Sequence, residues 1–349
     1  MSKFGNSSLF GMIHDYLKIY LPKQRKLSSN TIRSYRQTLE LFLDFIKETK
    51  QIPLGDVTFE MITAEMTLAF LDYTETHRNC SVSTRNNRLA AIRTFLKFSA
   101  TRDLTTVVQL NEMKKVPVKK PDVINTIGYM QMKAVSAIAD QADDTTPKGL
   151  RDKFFMLLMY DTGARLQEMI DIKLFDLRIN KVSTITLHGK GGKVRTVPIM
   201  DITVKYLKAY IAVFHKNLPL SSDAPLFYTV IKDRVAKISA SCIRLFLTQY
   251  AKAAREKCIE IPENVHPHLW RHSRAMHLYQ QGMDLTLVAQ WLGHAQLETS
   301  LVYAHADTEH KRKAIASATP PDSPLYARLS PKRFIITDED VLKQLTGLR

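Results

Sequence analysis

The sequence predicts a mainly α protein with a small antiparallel β-sheet, arranged as two domains. Apolar residues recur at helical spacing through residues 1–110 and again through much of residues 123–318. The second region also holds a β-branched stretch at residues 182–199, which predicts the sheet. Residues 111–122, between the two regions, are basic and lose the periodicity. Residues 319–349 follow as a separate C-terminal segment with proline breaks.

The N-terminal domain is predicted to be a bundle of four amphipathic helices. Its second and fourth helices begin at polar caps, around Ser28 and Ser81. Their polar faces carry arginines that either form an ordinary solvated surface or contact a polyanion: Arg33, Arg36, Arg85 and Arg88. The basic stretch that follows contains two prolines, so we expect an extended linker. Its lysines are expected to meet phosphates, and they are Lys114, Lys115, Lys119 and Lys120.

Composition and charge narrow the class of protein. The 349 residues carry 50 Lys and Arg against 34 Asp and Glu, a net charge of +16. Residues 1–120 hold 19 of the basic and 11 of the acidic residues, so the excess is +8 there and +8 in the remainder. Two basic domains favour nucleic acid as the partner, with an anionic membrane surface as the weaker alternative. No apolar stretch predicts a membrane span or signal peptide, so we expect a cytoplasmic protein with no membrane partner.

The β-rich stretch of the second domain is predicted to be a hairpin with a glycine-rich turn. The turn, Gly189 to Lys193, lacks the Lys-Ser/Thr pair of a nucleotide-binding loop, because Val194 follows Lys193. Lys190 is therefore either a solvated turn residue or a mobile proton donor. Helices are predicted around residues 127–140, 149–160, 202–215, 240–256, 269–281 and 285–292.

Two arginines stand near predicted helix starts. Arg165 and Glu168 are spaced i, i+3, which fits an ordinary helix ion pair or an arginine held rigidly to face a phosphate. His268 and Arg271 share that spacing just after Pro267, where a helix N-terminus favours an anion. Either pair could bind a phosphate.

A histidine and a tyrosine follow the last apolar helix of the second domain. His294 comes directly after Gly293, which can end that helix, and Tyr303 lies nine residues later. A straight helix would keep these two side chains roughly 13 Å apart, so they converge only if a turn intervenes.

Five histidines in this region raise the alternative of a metal hydrolase: His266, His268, His272, His294 and His305. The zinc-binding pattern H-E-x-x-H is absent, and arginines lie among the supposed ligands. The three cysteines are scattered and predict neither a disulfide framework nor a metal knot. We therefore expect no metal and no cofactor.

The order of these groups resembles the tyrosine recombinase (phage integrase) family. The resemblance covers nearly the whole chain and is closest to simple two-domain bacterial and mobile-element members. It implies that residues 1–110 form a helical, SAM-like core-binding domain that binds DNA, and that residues 123–318 form the catalytic domain. Trp270 stands where the family commonly has a smaller apolar residue. The motif residues are Arg165 and Glu168, Lys190, His268 and Arg271, Leu292-Gly293-His294, and Tyr303 with His305.

The resemblance implies a site-specific recombinase that cuts and rejoins DNA strands. Tyr303 would attack the scissile phosphodiester, forming a 3′-phosphotyrosyl bond and releasing a 5′-hydroxyl. Arg165 and Arg271 would bind the non-bridging oxygens and stabilise the charge of the transition state. Glu168 would orient Arg165. The phosphotyrosine retains the bond energy, so neither metal nor cofactor is required.

The proton transfers are also assigned by the resemblance. His268 would assist deprotonation of Tyr303, His294 would donate to the phosphate, and Lys190 would protonate the leaving oxygen. His272 and His305 are expected to support helices rather than to contact DNA.

The implied partner is double-stranded DNA with paired inverted-repeat half-sites, bound by a homodimer on each site and a homotetramer in synapsis. Residues 319–349 are expected to dock on a neighbouring protomer. Integration, excision, transposition and dimer resolution all use this chemistry. A type IB topoisomerase-like enzyme and a catalytically silent DNA-binding protein of the same fold are the alternatives. The small bundle followed by a basic linker favours recombination, and none of the six catalytic groups is missing.

Overall fold

The computed structural model describes residues 8–120, 128–231, 234–293, 303, 312, 315 and 339–345. The chain divides into two compact units, Met1–Val123 and Ile124–Arg349. Both are mainly helical, and the sheets are small and antiparallel, so the predicted fold class is confirmed. Among the described residues, no helix combines the length and apolarity needed to cross a bilayer.

The N-terminal unit is a helical bundle around an aromatic core. The rings of Phe42 and Phe70 lie 5.0 Å apart, and Phe95 is buried with them. The predicted caps are confirmed, because Ser28 and Ser81 each accept a hydrogen bond from a backbone N–H three residues later. The helices are α1 (Ser8–Asp15), a π-helical segment (Tyr16–Gln24), α2 (Ser29–Lys50), α3 (Ala64–Thr76), α4 (Val82–Ala100) and α5 (Val107–Lys114).

Helix α5 extends into the stretch predicted to be an extended linker, so that prediction is wrong for residues 111–114. Met113 and Val116 are fully buried in the core of the N-terminal unit. Arg93 of α4 donates hydrogen bonds to the carbonyl oxygens of Met113, at 2.9 and 3.2 Å, and of Val116. These contacts fix the chain against α4 until just before the second unit.

The core of the second unit is built on a buried helix, Pro147–Thr162, and the elements packed on it. Strands β1 (Leu177–Arg178), β2 (Thr184–His188) and β3 (Val194–Pro198) form an antiparallel sheet in that order. The pairing of Thr184 with Pro198 and of His188 with Val194 confirms the predicted hairpin. The helices are α6 (Met132–Ala139), α7 (Pro147–Thr162), α8 (Leu166–Asp171), α9 (Asp201–Phe214), α10 (Ala240–Arg255), α11 (Pro267–Gln280) and α12 (Leu285–Leu292).

The second unit has two further features, a second strand pair and a buried tryptophan. Strands β4 (Tyr228–Ile231) and β5 (Arg234–Lys237) form a second antiparallel pair. Trp270 of α11 is fully buried in the core of the second unit. Its large side chain therefore fills space between helices, one residue before Arg271.

Candidate active site

The ends of three helices meet at one region of the second unit. Gly163 ends α7 and Gly293 ends α12, both in the left-handed conformation at φ +58° and +67°. The conformation favours glycine at position 163, and a Cβ atom there would also lie 2.8 Å from Cδ2 of Leu292, which would have to shift. Arg165, at the N-cap of α8, lies two residues after Gly163. The three helix ends therefore bring two motif segments into contact.

Glu168 binds two arginines and is only 4% exposed. Arg165 donates to it from Nη1 and from its backbone N–H, each at 2.8 Å. Arg195 of β3 donates from Nη1 to Oε1 at 3.0 Å and from Nη2 to Oε2 at 2.8 Å. Burial alone would raise the pKa of Glu168, but the hydrogen bonds from Arg195 and Arg165 and the charge of Arg195 outweigh it and lower the pKa to about 2. Glu168 is therefore ionised and holds Arg165 in place.

Arg271 lies between the C-terminal ends of two helices. Its Nη1 donates to the Gly163 carbonyl at 2.6 Å and its Nη2 to the Leu292 carbonyl at 2.7 Å. These carbonyls have no partner within their own helices, and the helix dipoles favour a cation there. Burial lowers the pKa of Arg271 to about 10, and the charges of Arg165 and Arg195 add to the effect. The guanidinium is still charged at neutral pH.

Tyr303 is buried, and its hydroxyl lies 3.0 Å from Nδ1 of His272. Burial lowers the pKa of His272 to about 4, with further contributions from His268 and Arg271, so the ring is neutral at neutral pH. Burial raises the pKa of Tyr303, whereas the charges of Arg271 and Arg165 act in the opposite direction. His272, expected to support a helix rather than to contact DNA, therefore also contacts the hydroxyl of Tyr303.

His268 lies one helical turn before His272, on the same side of α11. Their ring centroids are 6.4 Å apart, and His268 itself is exposed. Its pKa is lowered by burial of part of the ring, and then by the nearby charges of His266, Arg271 and Arg165. The structure thus places a solvent-accessible histidine next to the one that contacts Tyr303.

The structure describes only part of the segments that carry the remaining predicted residues, Lys190, His294 and His305. Lys190 begins the turn between β2 and β3, in which Gly191 and Gly192 both have positive φ. A Cβ atom on the preceding Gly189 would lie 3.3 Å from Oε1 of Glu168, so the turn starts beside the arginine cluster. The Lys190 side chain, His294 and His305 lie outside the described parts of the chain.

The arginines predicted to bind DNA in the N-terminal unit differ in exposure. Arg33 and Arg36 are exposed on α2, whereas Arg88 is half-buried. Arg85 is 1% exposed, lies 3.2 Å from a carboxylate oxygen of Glu75 and donates to the Pro117 carbonyl at 3.1 Å. The assignment of Arg85 to DNA binding is therefore wrong, because its guanidinium is used inside the bundle.

The four lysines of the predicted linker are all exposed. Lys119 is held by Glu75 at 2.5 Å and lies 3.7 Å from Asp72. Lys114 donates to Asn111 at 2.9 Å, Lys115 pairs with Glu112, and Lys120 follows at the end of the described segment. Exposed pairs of this kind are weak, so these lysines can still exchange their partners for a phosphate.

Sequence reasoning did not select Arg195, the second arginine on Glu168. The position of Arg195 in its strand could have indicated it. Arg195 lies two residues before Val197, on the same face of the strand, and pairs with Leu187, and both of these neighbours are buried. An arginine at an inward-facing strand position requires a buried acidic or carbonyl partner.

Comparison with known proteins identifies both units. Residues 129–310 match the sequence profile of the "Phage integrase family", and residues 13–103 match "Phage integrase, N-terminal SAM-like domain". The tyrosine recombinase XerC of Oceanobacillus iheyensis is 28% identical over 301 residues, which cover 86% of this chain and 93% of that protein. These matches favour recombination over the topoisomerase and silent DNA-binding alternatives.

Two solved structures share the fold. The XerH site-specific recombinase bound to its difH substrate has a TM-score of 0.61 and 21% identity, with 90% of each chain covered. The Tn1549 transposon integrase in complex with transposon right end DNA has a TM-score of 0.63 and 15% identity, covering 87% of this chain and 98% of that chain. At sequence identities of 21% and 15%, the similarity shows a shared fold alone.

Proposed function

This chain belongs to the phage integrase family and is a site-specific DNA recombinase, and we propose that Tyr303 is its nucleophile. The observation that carries the proposal is the contact of the Tyr303 hydroxyl with the neutral ring of His272, beside the charges of Arg165 and Arg271. A phenol with a pKa near 10 is a weak nucleophile at neutral pH unless a base takes its proton. The 3.0 Å contact supports His272 as that base.

The reaction is a transesterification. With the ring proton on Nε2, Nδ1 of His272 accepts the phenol proton as the Tyr303 oxygen bonds to phosphorus. The bond to the 5′-oxygen breaks, which leaves a 3′-phosphotyrosyl linkage, and Lys190 gives a proton to the departing oxygen. A 5′-hydroxyl from a partner duplex reverses these steps and reseals the strand, so no external energy source is consumed.

The two arginines stabilise the transition state. Both are positively charged, and each is held by groups other than the substrate: Arg165 by Glu168, and Arg271 by the ends of α7 and α12. Such preorganised donors act on the charge that grows on the non-bridging phosphate oxygens. We assign His268 and His294 to the phosphate as further hydrogen-bond donors. His272, rather than His268, then accepts the tyrosine proton.

The partner is DNA, and we propose a specific arrangement on it. Arg33 and Arg36 of the N-terminal unit and the exposed linker lysines contact phosphates, which fix position without reading sequence. Two protomers bind inverted half-sites, and two such dimers form the synaptic tetramer, because protein two-fold symmetry is mirrored in the half-sites. The C-terminal segment docks on a neighbouring protomer in this assembly.

A nicked suicide duplex tests the nucleophile. Full-length wild-type protein should become covalently attached to a 3′-phosphate in the presence of EDTA, and peptide mapping should locate the bond at Tyr303. Tyr303→Phe removes one oxygen and keeps the ring, so it should bind the duplex with similar affinity and form no adduct. Tyr279→Phe, in α11, serves as the matched control and should still form the adduct.

The donor role of Lys190 is tested on the same duplex. Lys190→Ala should cleave poorly when oxygen is the leaving atom and recover on a 5′-bridging phosphorothiolate, because sulfur leaves without protonation. An adduct that persists in Tyr303→Phe, or cleavage that stops on metal chelation, would contradict the mechanism.

A further inference from the structure

Arg195 makes a bidentate ion pair and a third hydrogen bond within the active-site region. Its Nη1 and Nη2 face the two oxygens of Glu168, and its Nε donates to the Trp291 carbonyl at 3.0 Å. The side chain is 14% exposed. All three nitrogens of the guanidinium therefore have partners, which is the geometry that lysine cannot reproduce.

This one side chain joins three segments that carry motif residues. Arg195 belongs to β3, the strand that follows the Lys190 turn. Through Glu168 it reaches the start of α8, where Arg165 stands. Through the Trp291 carbonyl it contacts the end of α12, where the Leu292 carbonyl accepts a hydrogen bond from Arg271. A Cβ atom on Gly293 would lie 3.0 Å from Nη1 of Arg195, so the contact with this helix end is close.

Glu168 depends on Arg195 as well as on Arg165. Each carboxylate oxygen accepts one bond from Arg195 and one from Arg165. If Arg195 is removed, the buried carboxylate keeps one guanidinium, and that guanidinium belongs to the residue that is proposed to bind the phosphate. Arg165 would then be drawn toward Glu168, and its fork would no longer be presented in a fixed orientation.

We propose that Arg195 is a positioning residue for DNA cleavage: it shares the charge of Glu168 and thereby holds Arg165 in the orientation that receives the scissile phosphate. Arg195 acts through Arg165 and makes no contact with the reacting atoms in this assignment. The inference rests on the proposed function, in which Arg165 binds that phosphate.

The test uses full-length Arg195→Lys, which keeps the positive charge but loses the bidentate fork. Single-turnover cleavage of the nicked suicide duplex should fall about 100-fold, the effect of a small misplacement of a reacting group. Duplex affinity should change little. Arg178→Lys is the matched control, because Arg178 lies in β1 of the same sheet and is exposed, and it should cleave like wild type.

A double-mutant cycle separates positioning from a general structural effect. In a Glu168→Gln background the carboxylate that Arg195 shares is absent, so Arg195→Lys should add little further loss. Equal losses in both backgrounds, wild-type cleavage by Arg195→Lys, or loss of its folded state would each overturn the proposal. A wild-type protein that forms no covalent adduct would instead contradict the proposed function, which the same duplex reports separately.

Discussion

Glu168 makes the stability of the second unit depend on pH. Its pKa falls from about 4.5 to about 2 on folding. A group whose pKa is lower in the folded state stabilises the fold above its unfolded pKa, and this contribution is lost as the pH falls through the folded value. At about 1.4 kcal/mol for each pKa unit, the contribution at neutral pH is roughly 3 kcal/mol.

We therefore expect Glu168→Gln to be less stable than wild type at neutral pH. The difference in unfolding free energy should narrow as the pH falls from about 5 to about 2, because the unfolded chain takes up a proton at Glu168 in that range while the folded protein keeps the carboxylate ionised. Chemical denaturation of both proteins at a series of pH values measures this difference. A gap that stays constant over the range would show that the carboxylate charge is not the source of the stabilisation.

The contact between His272 and Tyr303 predicts which histidine matters for the first proton transfer. His272→Ala removes the group that lies 3.0 Å from the hydroxyl, and should lower the single-turnover cleavage rate by about 10²-fold or more, the usual contribution of a general base. His268→Ala should lower the rate less in this step. Similar duplex affinities would confirm that the loss is chemical, and a larger loss in His268→Ala would restore the role to His268.

Residue-level prediction from sequence succeeded where partners are close along the chain. Arg165 and Glu168 form the ion pair that their i, i+3 spacing predicts. Arg195 was not selected and His272 was given only a supporting role, because their partners lie 27 and 31 residues away and are brought near only by tertiary packing. Helical spacing carries no information about such contacts.

At the scale of elements, polar side chains of helix α4 hold the chain that follows α5, and among them Arg85 is buried. Arg85 pairs with Glu75 of α3 and donates to the Pro117 carbonyl, and Asn86 donates to the Lys119 carbonyl at 2.7 Å. Because removing one partner of a buried pair is strongly destabilising, Arg85→Ala should lower the stability of the N-terminal unit by about 3 kcal/mol.

The same variant separates folding from DNA contact. While Arg85→Ala remains folded, the slope of log K against log salt for duplex binding should equal that of wild type. Arg33→Ala and Arg36→Ala, which change exposed residues of α2, should each flatten the slope by about 0.9. A flatter slope for Arg85→Ala would place its guanidinium on the DNA.

Elements were predicted well where a single pattern dominates. The hairpin of β2 and β3 and the capped helices α2 and α4 were confirmed, because alternation, glycine turns and hydroxyl caps are local signals. Helix α5 was missed because lysines and prolines after it obscured its apolar residues, of which Met113 is buried. Burial against α4, rather than local preference, decides that segment.

At the scale of the whole molecule, function was predictable because the order of chemical groups along the chain is itself informative. Arg165, Lys190, His268, Arg271 and Tyr303 are each ordinary residues, yet their sequence order matches a family whose profile covers residues 129–310. The net charge of +16, divided between both units, agrees with a DNA partner for both.

The C-terminal segment provides a test of assembly. Its described helix, Glu339–Leu345, leaves Val341 41% exposed, and residues 319–349 contain further apolar side chains that favour a protein partner. Deleting residues 319–349 should therefore reduce paired-site complexes and recombination in gel-shift and product assays. Binding of one protomer to a half-site should be retained, because the residues assigned to DNA contact are still present. Truncated protein that forms paired-site complexes and recombines like wild type would show that the segment does not join protomers.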